Sequence, residues 1–338
     1  MKKKILYIKA GGTIGMKPST KGYDYSAKSK QSEKYDYLKE MEGLENIADI
    51  TSMELFEIDS TDIGISERKL LAECIYSNYD RYDGFVIGHG TDTMVDSAAA
   101  IKYMLPGASK PIIFTGAQIP IYGRIETDGK RNVYNAVKLA TKDLGEVVIS
   151  FGSKILQADK AIKFSEEDMD AFQSYKAPQI GENGLEIKLT GSYHKRDEKT
   201  SESIDLFTDF DDNIGVYTQV SGGKNSLEGF EKYSGVIIQG FGAGGINKDL
   251  VEGIRYLTRK NIPIIITTTC VKGAAEMDIY AVGNRAKDAG AISAGDMTLY
   301  AVQQKLMCLL GKFKKLGFPL EERIRYVKEA FYGPNIKK

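Results

Sequence analysis

The sequence predicts an α/β protein of two domains, a larger N-terminal domain with a parallel sheet and a smaller C-terminal α/β domain. The first reason is size, because 338 residues, of which 42% are hydrophobic, exceed the usual length of one domain. The second is that short apolar runs alternate with segments of helical spacing along the chain. The third is a charged segment, 192–212, that interrupts this alternation once.

The strand and helix predictions rest on the spacing of apolar residues. Short apolar runs that end at Gly, Ser or Thr are typical of strands buried on both faces of a parallel sheet. They lie at 5–8, 85–87, 112–114, 147–150, 236–238 and 262–266. Apolar residues at helical spacing predict amphipathic helices that cover such a sheet. These lie at 66–79, 94–104, 132–144, 248–259 and 298–309.

The charged segment predicts where one domain ends and the next begins. It is poor in large aliphatic residues and is followed by a strand-like run at 214–220. We therefore expect an N-terminal α/β domain at 1–191, a linker at 192–212 and a C-terminal α/β domain at 213–338.

Composition excludes several classes of function. Lys and Arg total 46 and Asp and Glu total 46, so no overall charge attracts nucleic acid or an anionic membrane. The apolar stretch 5–8 is too short for an export signal, and no run approaches the roughly 20 apolar residues of a membrane-spanning helix. The three cysteines are widely spaced, which argues against a disulfide framework or a zinc site. We expect a cytoplasmic protein whose partners are a small molecule and further copies of itself, without nucleic acid or membrane.

The first predicted strand ends in Gly11-Gly12-Thr13. This places a hydroxyl at the carboxyl edge of the sheet, where open parallel sheets bind their ligands. Taken alone, such a turn is better interpreted as a bend or a phosphate-binding loop. An irregular segment follows at 16–34, rich in Lys, Ser, Gly and Tyr, and long irregular loops beside a ligand site are often lids.

A second polar cluster, HGTDT at 89–93, follows the apolar run 85–87 and would lie at the same edge. Asp92 has an alternative use as the cap of the helix at 94–104. His89 is more simply interpreted as a structural histidine. Because the sequence has two histidines and neither a GxSxG nor an HExxH motif, the common serine and zinc hydrolase sites have no support.

A third polar cluster, DSTD at 59–62, follows a further strand-like segment. It has two possible uses. As structure, it would cap the helix at 66–79. As function, its carboxylate and hydroxyls would hold the α-amino and α-carboxylate groups of a small substrate.

Three glycines, Gly240, Gly242 and Gly245, fit the GxGxxG pattern of a dinucleotide-binding turn. The acidic residue that would bind a ribose hydroxyl is missing from the end of the next strand. We therefore interpret this match as close packing of a helix on a strand, and keep nucleotide binding as the alternative from a different class of function.

Taken together and in order, these motifs resemble the bacterial-type L-asparaginase family, in its cytoplasmic type I branch. They are GGTIG at 11–15, DSTD at 59–62, HGTDT at 89–93 and TGAQ at 115–118. The ordered pair of GGTIG and HGTDT is far more specific than either motif alone. The resemblance implies a homodimer or homotetramer that hydrolyses L-asparagine to L-aspartate and ammonia, with no cofactor and no metal.

The resemblance also implies which residues act in the reaction. The catalytic set is Thr13 as nucleophile, Tyr23 from the lid, Thr91, Asp92 and Lys163. The substrate-binding set is Asp59, Ser60, Thr61 and Ala117. The implied chemistry is a two-step acyl transfer, in which a threonine hydroxyl displaces ammonia and water then releases aspartate.

Some alternatives stay open. Lys160 competes with Lys163, and Tyr25 competes with Tyr23 as the lid tyrosine. A preference for glutamine is also open, because one methylene is worth only ~1–3 kcal/mol of discrimination. An amidotransferase subunit of the same fold is disfavoured, because we expect it to carry an additional N-terminal domain ahead of GGTIG.

Overall fold

The computed structural model describes residues 1–19, 22–24, 35–190, 193–196 and 204–332. The chain divides into two compact units. The larger holds residues 1–174 and 178–208, and the smaller holds 175–177 and 209–338. Both contain strands and helices, which confirms the predicted α/β class with a larger N-terminal and a smaller C-terminal domain.

In its described part, the larger unit is built on one eight-stranded sheet. The strands of the described part are β1 (Lys4–Ala10), β2 (Lys17–Ser19), β3 (Gly22–Asp24), β4 (Asp49–Phe56), β5 (Gly84–His89), β6 (Ile112–Thr115), β7 (Val147–Phe151), β8 (Lys154–Gln157), β9 (Ile162–Lys163), β10 (Phe172–Gln173), β11 (Gly181–Asn183) and β12 (Ile187–Leu189). Two short hairpins, β2–β3 and β9–β10, lie outside the eight-stranded sheet. The helices are α1 (Leu44–Ile47), α2 (Ile65–Ser77), α3 (Met94–Met104) and α4 (Gly129–Ala140). The sheet order is β12-β11-β8-β7-β6-β5-β1-β4.

Five neighbouring strands of this sheet, β4, β1, β5, β6 and β7, run parallel to one another. Strands β8, β11 and β12 continue it in antiparallel pairing. Because the carboxyl ends of parallel strands share one edge, the turns after β1, β4, β5 and β6 all begin there. The polar clusters noted in the sequence occupy these four turns.

The core of the larger unit covers both faces of its sheet. Ile5 and Tyr7 pack in one cluster with Val133 and Val137 of α4. Successive residues of a strand point to opposite faces, and Leu6 is as fully buried as its neighbours. Helices α2 and α3 contact each other and also pack on the sheet. This two-sided burial accounts for the continuous apolar runs that predicted the strands.

The described part of the smaller unit has a four-stranded parallel sheet in the order β13-β14-β15-β16. The strands are β13 (Ile214–Thr218), β14 (Gly235–Gly240), β15 (Ile264–Thr268) and β16 (Ile292–Ser293). The helices are α5 (Val251–Arg259), α6 (Ala281–Asp288), α7 (Leu299–Lys315) and α8 (Leu320–Tyr332). Its core joins Ile238 and Ile266 of the sheet to Ile254 of α5.

Several predicted bounds move for local reasons. The helix predicted at 94–104 coincides with α3, whereas the one predicted at 132–144 begins earlier, at Gly129. Its first turn, Gly-Lys-Arg, carries no apolar spacing that would have revealed it. The strand predicted from 262 begins at Ile264, because Pro263 has no N–H to donate to the sheet. Among the described residues, no helix combines the length and the apolar character needed to cross a membrane.

Candidate active site

Three turns at the carboxyl edge of the sheet lie in direct contact with one another. A Cβ on Gly12 would lie 2.2 Å from the Gly90 nitrogen, and a Cβ on Gly90 would lie 2.5 Å from the Ser60 side chain. Gly12 also has a φ of 88°, which side-chain-bearing residues rarely adopt. Since no side chain fits between them, the turns that carry Thr13, Ser60 and Thr91 stack directly on each other.

Thr13 opens a short 3-10 turn, Thr13–Gly15, that leaves β1 at this edge. Its neighbour Ile14 is fully buried and anchors the turn, while Thr13 itself is half-buried. Within the described ranges, no hydrogen bond is made by the Thr13 hydroxyl. Among the described residues, this hydroxyl is therefore not used by a structural hydrogen bond.

Lys163 joins the second hydroxyl to a carboxylate. Its Nζ donates to Thr91 Oγ1 at 2.9 Å and to Asp92 Oδ1 at 2.5 Å. Thr91 is buried, whereas the Asp92 side chain is 52% exposed and the Lys163 side chain 18% exposed. The ammonium group therefore lies between a buried hydroxyl and a carboxylate that still faces solvent. Of the two lysines considered from the sequence, Lys163 is the one in contact with Thr91.

This ion pair also decides how the Asp92 side chain is used. The cap residue of α3 is Thr93, and no side chain makes a capping hydrogen bond there. The alternative that Asp92 caps the helix is therefore wrong. The carboxylate pairs with Lys163 instead.

Lys163 reaches this place on a small hairpin formed by β9 and β10. The hairpin is tied to the turn after β7 by Asp170, which accepts hydrogen bonds from the backbone N–H and the hydroxyl of Ser153, both at 2.6 Å. Burial raises the pKa of Asp170, but the two hydrogen bonds from Ser153, together with the nearby charges of Lys154 and Arg131, outweigh it and hold this pKa below its usual range. The charged carboxylate thus fixes the hairpin that carries Lys163.

The DSTD turn is tied to the same place. Asp59 Oδ1 accepts from the backbone N–H of Thr61 at 2.9 Å and from its hydroxyl at 2.8 Å. Ser60 Oγ accepts from the Asp92 N–H at 3.3 Å, and the Ser60 carbonyl accepts from the Thr93 hydroxyl at 2.6 Å. Asp59 therefore caps its own short turn, not α2, and the turn packs against the HGTDT segment.

Tyr23 lies on β3, which pairs with β2 in a short hairpin. Its ring is 40% exposed and its hydroxyl accepts a hydrogen bond from Arg124 Nε at 3.0 Å. In the described part of the chain, no hydrogen bond joins Tyr23 to Thr13. The competing Tyr25 lies outside the described residues, as do 20–21 and 26–34 of the predicted lid segment.

Ala117 is buried in the turn after β6. Two buried polar residues of α4 and its start, Asp128 and Asn132, hold this turn by hydrogen bonds to its backbone. The sequence did not single them out, because an Asp just before a helix is the ordinary pattern of a cap. Arg124, the partner of Tyr23, was missed as well, since it lies in a polar loop without a motif.

His89 is fully buried beside the site and packs on the ring of Phe114. Its Nδ1 lies 2.7 Å from the Gly90 carbonyl oxygen. Burial lowers the pKa of His89 from 6.5 to about 4, although the contact with Gly90 favours the charged form. The imidazole is therefore neutral at physiological pH, which suits a structural role.

The buried imidazole predicts a specific acid sensitivity. In the unfolded chain His89 takes up a proton near pH 6.5, but in the folded chain it does so only near 4. The free energy of unfolding is therefore highest above the pKa that His89 has in the unfolded chain, and it decreases as pH falls from that value towards the pKa in the folded chain. We expect His89 to contribute about 2 kcal/mol to the loss of unfolding free energy between about pH 7 and pH 5.

Urea unfolding at these two pH values measures this loss. The variant His89→Gln should show a smaller decrease than the wild type, because all other titrating groups are shared. Equal decreases in both proteins would show that His89 is not held neutral by burial.

The glycine pattern in the smaller unit has a different structural cause from the one predicted. A Cβ on Gly240 would lie 2.8 Å from the backbone of Gly244, and Phe241 pairs with Gly245. The glycines therefore close a tight turn on itself, and the predicted packing against a helix is limited to Gly245, where a Cβ would lie 3.4 Å from the Val282 side chain of α6. Among the described residues, no group of three or more His, Cys, Asp or Glu side chains is placed to bind a metal ion.

Comparison with known proteins identifies the family of this chain. The family model described as Asparaginase, N-terminal, matches residues 4–194, and the model described as Glutaminase/Asparaginase C-terminal domain matches 224–316. The chain is 31% identical over 320 residues to L-asparaginase 1 of Escherichia coli (strain K12), covering 92% of this chain and 93% of that protein. It is 30% identical over 335 residues to the L-asparaginase of Thermococcus kodakarensis, covering 96% and 97%.

Solved structures give the same result. The crystal structure of L-asparaginase I from Vibrio cholerae superposes with a TM-score of 0.82 at 29% sequence identity, covering 97% of each chain. With two family models spanning most of the sequence and relatives matched over nearly its whole length, the chain belongs to the asparaginase family of amidohydrolases.

Proposed function

We propose that this protein hydrolyses L-asparagine to L-aspartate and ammonia through an acyl-enzyme formed on Thr13. One observation carries the proposal: the Lys163 ammonium bridges Thr91 and Asp92 in a turn whose backbone contacts the turn of Thr13. Its relatives named as L-asparaginases in Escherichia coli and Thermococcus kodakarensis support the choice of substrate.

In the first step, Thr13 Oγ attacks the carbon of the side-chain amide. A threonine hydroxyl is a weak nucleophile at neutral pH, so its proton must pass to a neighbouring group as the C–O bond forms. The C–N bond then breaks and the nitrogen leaves as ammonia with that proton. An ester between Thr13 and the aspartyl group remains.

In the second step, water attacks this ester and restores the Thr13 hydroxyl. The Thr91 hydroxyl, held at 2.9 Å by Lys163, is the group that would orient this water and relay its proton to the departing Thr13 oxygen. Backbone N–H groups of the turn at Thr91 would stabilise the oxyanion of both steps, where losing one donor costs about 3–4 kcal/mol. No cofactor is required by either step.

Selection of an α-amino acid would come from the carboxylates. The Asp92 side chain is half exposed while its Oδ1 pairs with Lys163, so its exposed part would face the ligand. Asp59 uses Oδ1 to hold Thr61, which leaves its second oxygen for a ligand. A charge-assisted hydrogen bond from the substrate ammonium to either carboxylate would favour an amino acid over a simple amide.

Ammonia release tests the proposal directly. Steady-state rates are measured with L-asparagine, L-glutamine and D-asparagine over a concentration series. We expect the highest kcat/KM with L-asparagine. A higher value with L-glutamine would reassign the enzyme as a glutaminase, and no ammonia from any of them would reject the proposed activity.

Tyr23→Phe tests the lid tyrosine. If the Tyr23 hydroxyl takes part in proton transfer to or from Thr13, its loss should lower kcat by about tenfold or more while KM changes little. Tyr76→Phe, on the exposed face of α2, is the matched control and should leave both constants unchanged. A rise in KM equal to the fall in kcat would indicate a lid that only covers the substrate.

We also propose a cytoplasmic location and a homo-oligomeric state. All three cysteines are free thiols, and Cys270 is exposed, which suits a reducing compartment.

The homo-oligomeric state is supported by an apolar surface that a second copy could cover. The smaller unit exposes Phe241, Tyr280 and Val282 along one groove. Sedimentation of the purified protein distinguishes a dimer from a tetramer.

A further inference from the structure

Two buried side chains that lie outside the turn after β6 hold this turn by hydrogen bonds to its backbone. Asp128, immediately before α4, accepts the backbone N–H of Gln118 at 3.1 and 3.0 Å and that of Ile119 at 3.0 Å. Asn132 Nδ2 donates to the Gly116 carbonyl at 3.0 Å and to Asp128 Oδ2 at 3.0 Å. Both residues are nearly inaccessible to solvent. Each peptide group on either side of Ala117 is therefore held by a hydrogen bond.

These bonds fix the direction of one free carbonyl. A peptide group is planar and trans, so its N–H and C=O point in opposite directions. Because the Gln118 N–H points at Asp128, the Ala117 carbonyl oxygen must point away from Asp128. Within the described ranges that oxygen accepts no hydrogen bond, although the carbonyl oxygens of Gly116 and Ile119 beside it both do.

Packing leaves this turn no room to shift. A Cβ on Gly116 would lie 2.3 Å from the His89 carbonyl oxygen, so the turn lies directly against the HGTDT segment. On its other side, a Cβ on Gly129 would lie 3.1 Å from the Ala117 methyl group. The turn that carries the Ala117 carbonyl is thus held rigidly between the HGTDT segment and the start of α4.

The chemistry of the substrate selects the partner of this oxygen. A carbonyl oxygen only accepts hydrogen bonds, and asparagine offers donors at its α-ammonium and at its side-chain amide. The ammonium is better matched by the carboxylates of Asp92 and Asp59. The amide N–H is the donor that suits a neutral acceptor beside the reacting centre.

We infer that Asp128 is a positioning residue that aims the Ala117 carbonyl at the departing amide nitrogen and so favours amides over esters. The inference rests on the proposed function. Asp128 acts through the backbone and touches no substrate atom. The β-ester of aspartate has no N–H at its reacting carbonyl group, so it gains nothing from the placement of the Ala117 oxygen.

The variant Asp128→Asn tests this role with two substrates, L-asparagine and the β-methyl ester of L-aspartate, with aspartate formation followed for both. The new amide group has nearly the same shape but loses acceptor capacity towards Gln118 and Ile119. We expect kcat/KM to fall by about 30-fold for asparagine and by about threefold at most for the ester. Asp128→Glu, which keeps the charge but displaces it by one methylene, should show the same selective loss.

Asp83→Asn is the matched control. Asp83 also accepts a backbone N–H, from Lys4 at 2.8 Å, and pairs with Arg196 at 3.0 Å, but it lies at the opposite edge of the sheet. Any loss there should be equal for the two substrates. Equal losses in both Asp128 variants would overturn the positioning role alone. A wild-type enzyme that releases no ammonia from asparagine would overturn the proposed function, and the role with it.

Discussion

Thr13→Ala is expected to abolish turnover of L-asparagine, with kcat lower by about 10⁴-fold or more, because the group that forms the acyl bond is removed. Folding should not change, since the hydroxyl is half-buried and makes no hydrogen bond within the described ranges. The unfolding free energy should stay within about 0.5 kcal/mol of the wild type, as for other side chains without structural contacts. Ammonia release and urea unfolding measure the two quantities.

Thr13→Ser is the control for this variant, because it keeps a hydroxyl at the same place. It should retain a substantial part of the wild-type rate. If Thr13→Ala remained active while Thr91→Ala lost all turnover, the nucleophile would be Thr91 and the roles of the two threonines would be exchanged.

Lys163→Met is expected to lower kcat by about 10³-fold, the range typical of lost general acid–base catalysis. Methionine keeps the length and apolar stem of lysine but cannot donate to Thr91 or pair with Asp92. Because Asp92 remains half exposed, its unpaired carboxylate stays hydrated and the protein should remain folded. Single-turnover measurements should show a slower chemical step. Urea unfolding should show the same midpoint as the wild type.

Lys160→Met provides the matched control, since Lys160 precedes Lys163 by three positions and is not the lysine that contacts Thr91. Its rate should remain close to that of the wild type. The opposite result, a silent Lys163→Met and an inactive Lys160→Met, would assign the activating amine to Lys160.

The fold was predictable because its strands are buried on both faces. Continuous apolar runs such as 85–87 are typical of strands in that position, and each run ends at the same edge of the sheet. The sequence therefore predicts that the polar turns at 11–15, 59–62 and 89–93 lie together at that edge. The contacts themselves depend on glycines that admit no side chain, and local sequence does not show which backbones touch.

Other features lay beyond sequence reasoning for a different physical reason. Asp128 has the sequence context of a helix cap, yet its carboxylate binds the backbone of a separate turn. Arg124 donates a hydrogen bond to Tyr23, which is distant from it in the sequence, and no periodic pattern around either residue indicates this contact. The spacing of residues in the sequence predicts helices and strands, but it does not show which side chains come into contact when those elements pack together.

The hydrogen bond between Lys163 and Thr91 joins residues that are 72 positions apart. Closing a loop of this length lowers chain entropy before any contact compensates for it. The contact between this amine and this hydroxyl requires β5 to be in the sheet and the β9–β10 hairpin to lie beside it, so we expect it to form late in folding. Recovery of activity after denaturation should consequently lag behind recovery of helical signal.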